Sequence, residues 1–68
     1  MYIVIELQTN GNTTTNLVNA YDTRAEAEQK YHLILSAAAV SNVEIHAAVM
    51  LTAEGMVINS QAYHHEAQ

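Results

Sequence analysis

The sequence predicts an α+β fold of order ββαββ: a four-stranded, mainly antiparallel sheet with one helix packed on one face. Runs of alternating polar and apolar residues, rich in β-branched types, occur in pairs at both ends of the chain. A glycine-bearing turn signal joins the members of each pair. Between the pairs lies one segment with helical periodicity and a capping signal. The 68 residues, 1–68, are read as a single domain.

The first strand is YIVIELQT. Ile3, Ile5 and Leu7 fall on one face, and Tyr2, Val4, Glu6 and Gln8 on the other. NGNTTTN follows, a turn longer than a two-residue hairpin loop, and NLVNAY is the second strand. Thr23 with Glu26 matches a capping box, so the helix runs from about Thr23 to Val40. Ser41-Asn42 ends it, with Asn42 suited to a left-handed position. VEIHAAVMLT is the third strand, Ala53-Glu54-Gly55 the turn and MVINSQAY the fourth strand. HHEAQ reads as a frayed polar end.

The helix holds more apolar surface than one sheet covers. Ala27, Tyr31, Ile34 and Ala38 share a stripe that fits Ile3, Ile5 and Val49. Leu33, Ala37 and Val40 lie on one flank, and Leu35 and Ala39 on the other. Either a strongly curved sheet wraps the helix, or a symmetric homo-oligomer covers the remainder. The second is the expectation, with Leu33, Leu35, Ala37 and Val40 in the contact. A chain of this size also needs a staple, and it contains no cysteine to make one.

Net charge is −5, with Arg24 and Lys30 the only Lys and Arg residues. Binding to extended nucleic acid relies on many such cations and is not expected. No run of about 20 apolar residues offers a membrane span. MYIVIELQ lacks a basic n-region, so the expected compartment is the cytosol.

Arg24, Glu28 and His32 form a ladder at i, i+4 and i+8. With Lys30 and Tyr31 it offers cations to a small anionic ligand, and Arg24 in the first helical turn adds backbone N–H groups. The competing reading is a solvated face with one ion pair. His46 is placed on the sheet face away from the helix, with Glu44 and Glu6 nearby. A His with two carboxylates has acid–base or metal chemistry open to it, against an ordinary polar sheet face. The five candidate ligand-binding residues are thus Arg24, Lys30, Tyr31, His32 and His46. No metal site is expected, because the adjacent His64 and His65 would point to opposite faces of a strand. Ser36, Ser41 and Ser60 lack a nucleophile elbow, and the two glycines make no phosphate loop. No enzymatic activity, catalytic residue or cofactor is therefore expected.

AYDTRAEAEQKYHLILSAAAVS and HAAVMLTAEG, within a likeness running from MYIVIELQTN to the terminal tyrosine, resemble a group of very short proteins encoded in phages and prophages of gut bacteria. The resemblance implies a viral context and a compact α+β fold, but no activity and no site residue. Two functions follow as expectations. One is a homo-oligomeric anti-defence protein that sequesters a small anionic, nucleotide-like ligand. The other is a minor virion or assembly component, or a protein–protein interaction module.

Overall fold

The computed structural model describes residues 1–65. The elements are β1 (Tyr2–Asn10), β2 (Thr13–Tyr21), α1 (Arg24–Ala38), β3 (Ile45–Thr52) and β4 (Val57–His64). The strands form one antiparallel sheet in the order β2-β1-β3-β4, so β1 and β3 are central. This is the expected α+β arrangement of order ββαββ.

β1 and β2 pair from Tyr2↔Tyr21 to Asn10↔Thr13. Their loop is therefore only Gly11-Asn12, shorter than NGNTTTN suggested. The β-branched threonines prolong the strand rather than the turn. Gly11, at φ 58°, supplies the left-handed backbone that the tight turn requires. The hairpin tip is also held from outside. Asn10 Oδ1 accepts the Glu44 N–H at 3.1 Å, and the Gly11 N–H donates to Glu44 Oε2 at 3.3 Å.

Thr23 caps α1 in extended conformation. Its Oγ1 accepts the Glu26 N–H at 3.3 Å and donates to Glu26 Oε1 at 2.9 Å. The helix stops at Ala38, two residues before Val40. Asn42 is not left-handed, since no non-glycine residue among those described has positive φ. A tightened turn ends the helix instead, with the Val40 N–H on Ala37 O and the Ser41 N–H on Ala38 O, both 3.3 Å. Val43 and Glu44 belong to the approach to β3 rather than to the strand. Opposite Met50 and Leu51 the β4 register skips Ile58, a bulge that turns this residue against the core.

Directly opposed residues of an antiparallel pair share a face. Val4, Glu6, His46, Ala48 and Met50 lie on one face; Ile3, Ile5, Leu7, Val49 and Leu51 lie on the other. The helix covers the first. Ala27, Tyr31, Ile34, Leu35 and Ala38 are buried on its inner side, and Val4, Ala48 and Met50 meet them. This corrects the expected packing on Ile3, Ile5 and Val49. The physical reason is the fit of small against large side chains: Ala27 and Ala48, both 0% exposed, share one cluster with Tyr31 and Met50, both 2% exposed. Leu35, expected at an oligomer contact, is in this core; it follows Tyr31 by four residues on the same stripe. Leu33, Ala37 and Val40 face outward as expected.

His64 completes β4, and residue 65 is bonded as described below. Of the expected frayed end, 66–68 lie outside the described residues. Among the described residues no helix is long and apolar enough to cross a membrane.

Candidate functional site

Register brings Glu6 and His46 to neighbouring rows of the covered face. Gln8 is directly opposite His46, and Glu6 is opposite Ala48. His46 Nε2 lies 2.6 Å from Glu6 Oε2, and His46 Nδ1 lies 3.1 Å from Ser41 Oγ. Gln8 donates its amide to the same Glu6 oxygen at 3.1 Å. His46 is 4% exposed, which corrects its expected position on the face away from the helix. The last turn of α1 and the following loop roof it. Glu44, expected beside it, instead sends its carboxylate to the Gly11 N–H.

Burial raises the Glu6 pKa, but hydrogen bonds from His46 and Gln8 and the charges of His46 and Lys30 outweigh it, so the net shift is downward. Ionised Glu6 has no proton to give. Nε2 of His46 therefore carries the shared proton, and in the neutral ring Nδ1 is free to accept from the Ser41 hydroxyl. The order hydroxyl, imidazole, carboxylate is that of a proton relay. Its surroundings are those of a clamp. The Val43 N–H is spent on Ser41 Oγ at 3.4 Å, and the Glu44 N–H on Asn10 Oδ1. Neither is free to stabilise an oxyanion beside Ser41.

Two further polar groups border this core. The Tyr31 hydroxyl is buried without a hydrogen-bond partner among the described residues. Burial first, and Tyr63 second, raise its pKa. His65 donates in a different place: its Nε2 lies 2.7 Å from Ala38 O, a carbonyl at the helix C-terminus. Its N–H reaches Glu44 O, and its ring stacks on Tyr63 with centroids 6.5 Å apart. Both depart from expectation: His65 is bonded rather than part of a frayed polar end, and Ser41, expected to end the helix, also holds His46. The one available signal was the i, i+2 spacing of Tyr63 and His65.

The five candidate ligand-binding residues do not converge. Arg24 Nε is 2.8 Å from Glu28 Oε1 on the exposed helix side. His32 is exposed and edge-on to Tyr31, with ring centroids 5.4 Å apart. Tyr31 and His46 are buried, and Lys30 lies on the flank whose charge acts on Glu6. At about 100° per residue, Lys30 and His32 project to nearly opposite sides of the helix. Among the described residues no three His, Cys, Asp or Glu side chains gather as a metal site would require.

The helix leaves the other sheet face uncovered. Ile3, Ile5 and Leu7 from β1 share it with Val18 from β2 and Val49 and Leu51 from β3. No Asp, Glu, Lys or Arg stands on it anywhere between β2 and β4. Val18 and Val57, at its two margins, are 59% and 61% exposed.

Comparison with protein-family models, with curated proteins and with solved structures finds no match to this chain.

Proposed function

We propose that the protein is a small non-enzymatic interaction module that works through the open face of its sheet. One observation carries this: a surface apolar at its centre and without Asp, Glu, Lys or Arg spans four strands and is left uncovered by the only helix among the described residues. Contiguous apolar patches of this kind on small proteins mark contact sites. Of the two expected functions, this supports assembly or protein interaction over capture of an anion. Arg24 is engaged by Glu28, and Lys30 and His32 project to nearly opposite sides of the helix. In the phage context implied by the resemblance, the module acts stoichiometrically in the host cytosol.

The test uses a photo-crosslinking amino acid placed at Val18 or Val57, on the rim of the face, with Leu33 on the outer helix side as comparator. Protein adducts from the two sheet positions, absent at Leu33, are the expected result. Adducts from Leu33 alone would move the working surface to the helix and overturn the proposal.

A further inference from the structure

We infer that the occupant of the open sheet face is a second copy of this chain, stacked sheet on sheet about a two-fold axis with both helices outward. The inference rests on the interaction reading above and names its partner.

Charge comes first. The chain carries −5, so two copies repel unless they meet where neither is charged. The carboxylates among the described residues sit elsewhere: Glu6 beneath the helix, Asp22, Glu26 and Glu28 at its start, Glu44 and Glu54 in loops. Both basic residues are on the helix, behind the sheet. An anionic membrane or nucleic acid would find no Lys or Arg on this face, whose titratable side chain is His64 at one corner opposite Ile45, and a charged peptide would find no Asp, Glu, Lys or Arg to pair with.

Shape comes second. Across the sheet, Asn16, Leu7, Ala47 and Ala62 form one row, and Val18, Ile5, Val49 and Ser60 the next. Bulk in these two rows concentrates toward β1, while Ala47, Ala62 and Ser60 leave a shallow trough toward β4; in the row of Ala20, Ile3, Leu51 and Val57 the small residue is instead on β2. A two-fold rotation lays the ridge of one copy into the trough of the other. Such a self-complementary patch is what an isologous dimer needs.

Area comes third. Four strands about 4.8 Å apart and roughly eight residues long, at about 3.4 Å per residue, give a footprint on the order of 500 Å². Two copies together lose on the order of 1,000 Å², the lower bound for a specific interface. The resulting dimer is reversible, with sheets about 10 Å apart.

Sedimentation equilibrium of the full chain from about 1 to 500 μM tests this. The expected result is a concentration-dependent rise from 7.5 kDa to twice that mass. Ile5→Glu is expected to hold the protein at monomer mass, with Leu33→Glu unchanged from wild type. Because Ile5 is on a central strand, Val57→Lys on the half-exposed rim provides a second variant, and circular dichroism checks that each remains folded. A wild-type monomer throughout the range overturns the inference. So does a dimer that survives both sheet substitutions but dissociates in Leu33→Glu. If the wild type is monomeric while the rim crosslinks above still yield adducts of other masses, the second copy is rejected and the interaction reading stands.

Discussion

His46 Nε2 and Glu6 Oε2 lie 2.6 Å apart, joining two residues separated by forty positions in the chain. The contact ties the loop after α1 to the central strand β1, because Ser41 holds the other ring nitrogen. Replacing Glu6 with Gln removes a charge-assisted acceptor and leaves His46 with a weaker partner. A loss of about 1.5–3 kcal/mol is expected in urea unfolding at pH 7. An unchanged midpoint would show that the pair contributes nothing.

The same carboxylate predicts an acid limb to stability. The Glu6 pKa is lower folded than unfolded. Its contribution is therefore complete above the unfolded value and is lost as pH falls through the folded one. Unfolding free energy should decline between about pH 5 and pH 2, and the decline should be shallower in Glu6→Gln. Parallel pH profiles for the two proteins would contradict the assignment.

Tyr31→Phe deletes the buried hydroxyl that lacks a partner. The ring packing is retained and an unpaired polar group is removed. The expected outcome is no loss of stability, or a gain of up to about 1 kcal/mol. A clear loss in thermal melting would mean that the hydroxyl is satisfied in solution.

Thr23→Ala removes both hydrogen bonds of the helix cap. The cost should be about 1 kcal/mol, with the melting temperature lowered by roughly 4–8 °C. Thr23→Asp should recover most of it, because a carboxylate caps the same N–H and favours the helix start.

Gly55, at φ 91°, turns β3 into β4 with open space where a Cβ would stand. Gly55→Ala thus meets backbone strain alone, for a loss of about 1 kcal/mol with no change of fold. Amide spectra confined in their changes to residues near 52–57 would bear this out.

Element order was legible because each level of the sequence agreed with the next. The period-two runs, Thr23 with Glu26, and Gly11 and Gly55 all point to the same arrangement. The side taken by the helix was not legible. Alternation tells which residues share a face, but both faces of β1 and β3 carry apolar groups, and the more apolar one is the open one. The packing of Ala27 and Ala48 with Tyr31 and Met50 favours this side, which is a property of shape rather than hydropathy. The same error hid the site. Glu6 and His46 were read correctly onto one face, yet assigned to solvent because the helix was placed opposite. Apolar surface remains exposed on both sides: Leu33 and Val40 on and just after α1, and Val18 and Val57 at the margins of the open sheet face, while Leu35 is core.

The central position of β1 also governs when the molecule can close. Its hairpin with β2 needs only a two-residue loop and forms in about 1–10 μs. Its ladder with β3 joins Tyr2 to Thr52 and must wait for most of the chain. Ribosomes add about 5–20 residues per second, so nascent β1 spends seconds with one edge unpaired. During that wait the edge matches β3 of any neighbouring copy as well as its own. Exchange of the β3–β4 hairpin between chains is therefore the misfolding route this topology invites, and slower translation would favour it at high expression.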